Sequence, residues 1–213
     1  MITETMTIHE ALSELKMLDK RLRQKVNRGV FCTTNKHSNS KINGKSIKDF
    51  TSEIRSEFES INALITRRAA IRNALSISNA RTKVNVAGRE YTVAEAIEMK
   101  ATGMENLEFL LSRMANQFNA CNMEVTRENG EKLRTAADAY VNGLFGSKDK
   151  SASIEDIEST RKTYIENHTL DLIDPLDLAK EIDTLEDRIE KFKAEVDSKI
   201  SISNATTTIT VEY

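Results

Sequence analysis

Apolar residues recur at three- and four-residue steps through most of the chain, which is the pattern of amphipathic helices. The first predicted helix begins at Thr7, where Thr7 and Glu10 have the spacing of a capping box, and it stops at Gly29. The second is predicted from Ser46 to Leu75. A helix of about thirty residues is about 45 Å long, so its apolar stripe needs another long helix as a partner.

Two further long helices are predicted later in the chain. Thr92 and Glu95 form a second capping box, and the apolar positions after it step by alternating threes and fours as far as Cys121, as in a coiled-coil seam. The last long helix begins at the motif DPLD. In this motif Asp174 is the predicted cap, and Pro175 occupies the first helical position, where its missing N–H has no cost.

Two segments have the period of a strand instead. Residues 83–91 contain two short strand-like runs around Ala87 and Gly88, which is typical of a tight β-hairpin. The β-branched stretch 206–211 predicts another strand. Because a lone strand is unstable, we expect 206–211 to pair with the hairpin in a three-stranded sheet.

These elements predict a mainly α fold: an elongated antiparallel helical bundle or coiled coil with a small β-sheet made of that hairpin and that strand. We interpret residues 1–213 as a single helical domain. Residues 30–45 lack periodicity and predict a flexible basic loop. Residues 123–162 form a polar insert, in which 125–146 predicts a shorter helix and 147–162 is either a linker or a marginal helix.

The composition favours long helices with solvated flanks. Hydrophobic residues make up 39% of the 213 positions and charged residues 30%, with one proline and no tryptophan. Cys32 and Cys121 lack the neighbouring ligands of a metal site and are interpreted as free thiols, so we predict no metal and no cofactor. The sequence has no apolar run of transmembrane length and no signal-peptide pattern, which favours the cytoplasm, or a virion if the protein is phage-encoded.

Charge is distributed unevenly along the chain. Residues 16–48 carry ten basic residues and one acid, whereas residues 174–213 carry ten acids and five bases, in a chain with a net charge of −2. One interpretation is that the basic first helix lies beside the acidic last helix, within one chain or across an oligomer. The other is that the basic segment binds phosphate groups. Phe31 is the only aromatic residue in that segment, so sequence-specific nucleic-acid binding is not expected.

One short motif raises the question of phosphate binding. The sequence GKS at 44–46 precedes a helix, but position 39, where a nucleotide-binding loop would need its first glycine, is Asn39. The N–H groups at a helix start still attract anions. Scattered histidines and carboxylates on different sides of helices predict no catalytic residue and no enzyme. The candidate anion-binding residues are Lys41, Lys45, Ser46, Arg67, Arg68 and Arg72.

Three stretches of the chain, followed by a Thr-rich end, resemble a family of small helical proteins from bacteria and their phages, some of which carry the label septicolysin. The resemblance implies a helical fold and a bacterial or phage setting, and it implies no reaction. The insert 123–162 is longer than its counterpart in that family. The stretches are EALSELKMLDKRL, INALITRRAAIRNALSISNARTKVNVAGREYTVAEAI and DPLDLAKEIDTLEDRIEKF.

These observations predict a non-enzymatic, oligomeric structural or assembly protein in a phage setting. Narrow apolar stripes on long helices are fully covered only by other long helices, so the expected partner is another copy of the chain or another assembly protein. The alternative is a protein that binds or sequesters an anionic small ligand such as a nucleotide. A second alternative, a membrane-active protein, rests on the septicolysin label alone.

Overall fold

The folded chain divides into two compact units. The computed structural model describes residues 2–146 and 153–213. The first unit contains the described residues up to Ala101 together with Lys191–Tyr213, and the second contains those within Thr102–Glu190. The sequence predicts one helical domain, whereas residue contacts group the chain into these two units.

Helices make up most of the described chain, and the strands are short and lie next to helix ends. The prediction of a mainly α fold with small antiparallel sheets is confirmed. In chain order the elements are β1 (Thr3–Thr7), α1 (Ile8–Arg28), β2 (Lys41–Ile42), β3 (Lys45–Ser46), α2 (Ile47–Arg81), β4 (Lys83–Val86), β5 (Arg89–Thr92), α3 (Val93–Glu98), α4 (Met104–Arg127), α5 (Leu133–Phe145), α6 (Ile154–His168), α7 (Leu178–Thr206) and β6 (Thr208–Glu212).

The two long helices α1 and α2 form the frame of the first unit. They run antiparallel, since Lys25 near the end of α1 pairs with Glu57, whereas Asp19 pairs with Arg68 further along α2. A continuous core lies between these helices and the last strand. Its buried members are Ile8, Ala11, Leu15 and Leu18 of α1, Ile71 and Leu75 of α2, and Ile209 and Val211 of β6.

The last strand pairs with the beginning of the chain. β6 is antiparallel to β1, with Thr3 opposite Glu212 and Thr7 opposite Thr208. The sequence does not predict β1 at all. This pairing joins the two ends of the chain over one end of the α1–α2 pair.

The predicted three-stranded sheet of 83–91 and 206–211 is therefore wrong. Among the described residues β4 pairs with β5 alone, and the last strand starts at Thr208 because α7 extends to Thr206. Alternate residues of β6 are buried in the α1–α2 core, which fixes its partner and its register. The hairpin instead lies against α7, since the Tyr91 and Phe192 rings meet edge to face at 5.7 Å.

Two hairpins have the same turn. Asn43 and Gly44 have φ values of 49° and 82°, and Ala87 and Gly88 have 52° and 78°. Positive φ at both central residues defines the turn that matches the twist of the flanking strands. The hairpin predicted at 83–91 is thus confirmed, and the end of the predicted loop 30–45 is a second, shorter hairpin of β2 and β3.

Both predicted capping boxes are present. The hydroxyls of Thr7 and Thr92 accept from the backbone N–H groups of Glu10 and Glu95, whose carboxylates accept in return from the backbone N–H groups of the two threonines. These bonds lower the pKa of Glu10 and of Glu95, because each holds the ionised carboxylate against N–H donors. After α3 a π-helical turn, Met99–Gly103, leads into α4.

The start of α7 differs from its prediction. Pro175 lies in a turn, and the helix begins only at Leu178. The Asp174 carboxylate accepts from the N–H groups of Leu176 and Leu178 at 3.3 and 2.8 Å, so it caps the helix across this turn. Asp177, with a positive φ of 53°, is the residue that separates turn from helix.

The polar insert forms two helices in the second unit. The helix predicted within 125–146 is α5, which starts at Leu133 after a second π-helical turn. α6 packs beside it, and Arg161 pairs with Asp138 at 2.6 Å. Much of the segment 147–162 is thus helical, whereas its residues 147–152 lie outside the described residues.

Candidate functional site

A groove of about 330 Å³ lies in the first unit, where α1, α2, α3 and the end of α7 meet. Its floor is formed by buried side chains of the core, among them Ile8, Leu15 and Leu75. Leu12 and Ile97 form its walls and are 40% and 45% exposed. The volume is at the small end of the range of ligand pockets, and the mainly apolar lining is typical of them.

Charged side chains stand on one side of this groove. Lys16 and Asp19 come from α1, and Arg72 comes from α2. Asp19 accepts a 2.5 Å hydrogen bond from Arg68 Nε, and this bond, with the charges of Arg72 and Arg23, lowers the pKa of Asp19. Because Arg68 already compensates Asp19, Lys16 and Arg72 leave the groove with an excess of positive charge.

Asn79, which lines the groove, has a buried polar atom without a partner among the described residues. The Oδ1 atom of Asn79 is buried without a hydrogen-bond donor among the residues that the structure describes. Arg72, Ser76 and Asn79 are spaced by four and three positions on α2, so they form one polar row along the groove. An unpaired buried acceptor is destabilising by about 1–3 kcal/mol, so a donor supplied by a bound molecule would be favourable there.

The six predicted anion-binding residues do not form one site. Lys41, Lys45 and Ser46 lie at the start of α2, and Arg67, Arg68 and Arg72 lie in its second half. From Ser46 to Arg67 the helix rises about 30 Å. Whether either group binds an anion stays a prediction.

Two of the three residues that precede α2, Lys45 and Ser46, are engaged in local side-chain contacts. Lys45 pairs with Glu53 at 2.5 Å. The Ser46 hydroxyl accepts from the N–H of Asp49 and donates to its carboxylate, so this hydroxyl is occupied by helix capping. Lys41 lies in the hairpin opposite Ser46 and is exposed.

Arg67 holds the two ends of the chain together. Two of its nitrogens donate to the carboxylate of Glu4 at 2.7 and 3.1 Å, and its Nε donates to Glu14 at 2.5 Å. It also donates to the Tyr213 hydroxyl, which donates to Glu4 at 2.9 Å. The hydrogen bond to Glu14 and both carboxylate charges raise the pKa of Arg67. Arg67 is therefore a structural residue of the first unit.

Sequence reasoning missed most of the groove. Leu12 and Ile97 belong to predicted apolar stripes, and Asn79 lies beyond the predicted end of α2 at Leu75. No local signal places Leu12 opposite Ile97. The extra length of α2 and the packing of α3 on it create the groove.

The second unit has a groove of similar volume between α5 and α6. The Tyr164 ring stacks on His168 at 4.0 Å and on Tyr140 at 4.8 Å between centroids. Nδ1 of His168 donates to the backbone carbonyl of Tyr164 at 2.8 Å. We interpret this stack as packing between the two helices, because its rings join Tyr140 of α5 to Tyr164 and His168 of α6.

The described residues contain neither clustered metal ligands nor a helix that could cross a membrane. Within 2–146 and 153–213 no group of three His, Cys, Asp or Glu side chains is arranged to hold a metal ion. No helix in the same part of the chain is both long and apolar enough to cross a bilayer.

Comparison with known proteins gives no match: no family model, no curated protein and no solved structure matches the chain. The resemblance to small helical bacterial and phage proteins therefore stays a prediction.

Proposed function

We propose that the protein is a non-enzymatic helical assembly protein that associates with further copies of itself. The observation that carries this proposal is the incomplete burial of α4. Of its 24 residues only Met104 is buried. A helix of this length that keeps its apolar stripe partly in water gains stability from an additional helical partner.

The half-buried positions of α4 follow a coiled-coil spacing. Positions 107, 111, 114, 118, 121 and 125 are separated by alternating steps of four and three, and the half-buried positions 108, 115 and 122 lie beside them, so all share one face. Elsewhere on α4, Phe109 and Met123 are 78% and 73% exposed. The apolar residues on the half-buried face are Leu107, Leu111, Met114, Ala115, Phe118, Cys121 and Val125.

Charge on other helices also favours self-association. Lys20, Arg21 and Arg23 on α1 are exposed and form no ion pair within the described part of the chain. Glu181 and Glu186 on α7 are exposed acids. Contact between α1 of one copy and α7 of another would bring opposite charges together and set the orientation of the two copies. The phage setting is part of the proposal through the family resemblance alone.

Light scattering after size exclusion tests the proposal. We expect a mass well above the 24.0 kDa of one chain at micromolar concentration. Leu111→Gln places an amide on the half-buried face of α4 and should raise the dissociation constant at least about tenfold. Ala120→Gln introduces the same side chain at an exposed position of the same helix and should leave the mass unchanged.

Far-UV circular dichroism must show that both variants keep the helix content of the parent protein. A parent protein that is folded, with its native helix content, and monomeric at micromolar concentration would contradict the proposal. So would equal dissociation constants for Leu111→Gln and Ala120→Gln.

A further inference from the structure

We propose that the groove between α1, α2 and α3 binds a small carboxylate with an apolar body, such as a medium-chain fatty acid or a hydroxylated relative of one. This inference does not depend on self-association. It rests on an apolar floor, two cations beside it that form no ion pair within the described residues, and an unpaired buried acceptor on Asn79, which lines the same groove.

The apolar part of the ligand would cover apolar side chains that line the groove. Ile8, Leu15 and Leu75 close the bottom of the groove, while Leu12 and Ile97 remain almost half exposed on its sides. Large apolar side chains that face each other across a groove gain free energy when an apolar molecule displaces the water between them. A flexible chain of about eight carbons is within the size that about 330 Å³ accommodates.

The carboxylate group of the ligand would pair with Arg72. Arg67 and Arg68, on the same helix, are each paired with carboxylates of the first unit. Arg72 forms no ion pair within the described residues, and Lys16, which lines the groove from α1, forms none there either. A guanidinium binds a carboxylate through two parallel N–H groups, so Arg72 provides the geometry and Lys16 adds charge.

The unpaired Oδ1 of Asn79 refines the choice of ligand. It lies seven positions beyond Arg72, on the same side of α2. The Oδ1 atom is closed off from solvent, so a ligand hydroxyl reaches it only when the Asn79 side chain turns into the groove; a ligand that carries a hydroxyl group at a distance from its carboxylate then supplies the missing donor. A hydroxylated fatty acid would therefore bind more tightly than the plain acid.

Isothermal titration calorimetry on the full chain tests the site with four probes: octanoate, 1-octanol, acetate and octyl phosphate. We expect octanoate to bind at least about tenfold more tightly than 1-octanol, which lacks the charge, and than acetate, which lacks the apolar body. Octyl phosphate should bind more weakly than octanoate. A panel of hydroxyoctanoates should contain a member that binds more tightly than octanoate.

Two variants of α2 locate the site. Arg72→Gln should weaken octanoate binding at least about tenfold, because it removes the guanidinium and keeps an exposed polar side chain. Arg55→Gln is the matched control, since Arg55 is exposed on the same helix and does not line the groove. It should bind octanoate as the parent protein does.

Several results would overturn the inference. One is that octanoate and 1-octanol bind with equal affinity. Another is that Arg72→Gln and Arg55→Gln bind octanoate with equal affinity. A third is that octyl phosphate binds more tightly than octanoate. Absence of octanoate binding at millimolar concentration would also overturn it. If Arg72→Gln instead changes the mass of the particle in solution, the groove is a contact between copies and not a ligand site.

Discussion

Met6 in the first strand lies directly opposite Ile209 in the last strand. Ile209 is buried in the α1–α2 core, and Met6 packs against the same core. The two ends of the chain are therefore joined by backbone hydrogen bonds and by a shared apolar layer. The stability of the first unit should depend on residues close to both ends.

Replacing Ile209 with alanine tests this dependence. We expect Ile209→Ala to lower the free energy of unfolding by about 2–5 kcal/mol, because it removes a buried side chain and leaves a cavity. Urea titration followed by circular dichroism measures the change. Thr210→Ala is the control on the neighbouring exposed position and should stay within about 0.5 kcal/mol of the parent. Similar losses for both variants would contradict a specific role of the buried face.

Arg67 offers a test of the contacts between the chain ends and α2. Arg67→Ala should lower the free energy of unfolding by about 1–3 kcal/mol, because Glu4 and Glu14 lose a shared cation. The side chain is 25% exposed, so the loss should be below that of a fully buried pair. Arg67→Lys should recover only part of it, since an ammonium cannot bind Glu4 through two parallel bonds. Full recovery by lysine would show that charge alone is sufficient.

The capping boxes predict a loss of stability in acid. The folded-state pKa values of Glu10 and Glu95 lie below the ordinary value of 4.5. A lowered pKa in the folded state means that the carboxylate contributes stability above pH 4.5, and that this contribution is lost as the pH falls through the folded-state pKa.

The measurement is thermal unfolding of the double variant Glu10→Gln, Glu95→Gln between pH 6 and about pH 3. The amide side chains still accept a hydrogen bond but do not titrate in this range. We expect the melting temperature of the variant to fall less than that of the parent over this interval. Parallel curves for the two proteins would contradict the assignment.

Gly88 tests the hairpin turn. Its φ of 78° is strained for a residue with a Cβ atom, so Gly88→Ala should lower the free energy of unfolding by about 1–2 kcal/mol. Gly143→Ala is the matched control, since Gly143 lies in α5 with open space around it. Alanine there should stabilise by about 0.5–1 kcal/mol. The same sign of change at both positions would contradict the turn geometry.

Much of the local structure could be predicted from the sequence. The capping boxes at Thr7 and Thr92 are recognisable because their hydrogen bonds join residues only three positions apart. The turn at Ala87 and Gly88 is recognisable for the same reason, because its signal lies in neighbouring residues. The turn at Asn43 carries an equally local signal, the dipeptide Asn-Gly, which sequence reasoning interpreted only as part of a loop.

The strand pairing could not be predicted in this way. The five residues of β1, TETMT, contain one large apolar side chain and give a weak strand signal of their own. They form a strand because β6 presents an unpaired edge next to the α1–α2 core. The partner of β6 was misassigned because its alternating pattern shows that one face is buried, and does not show against which element.

The sequence by itself determined the helices, their caps and their apolar stripes, because these depend on hydrogen bonds and side-chain spacings within one or two turns. Only the tertiary structure decided that Arg67 is bound by Glu4 and Glu14 while Arg72 on the same helix is left beside a groove. The reason is physical: Arg67, Arg68 and Arg72 have similar local surroundings, and the carboxylates that pair with Arg67 and Arg68 come from β1 and α1, far away in the chain. The candidate site is therefore a product of packing.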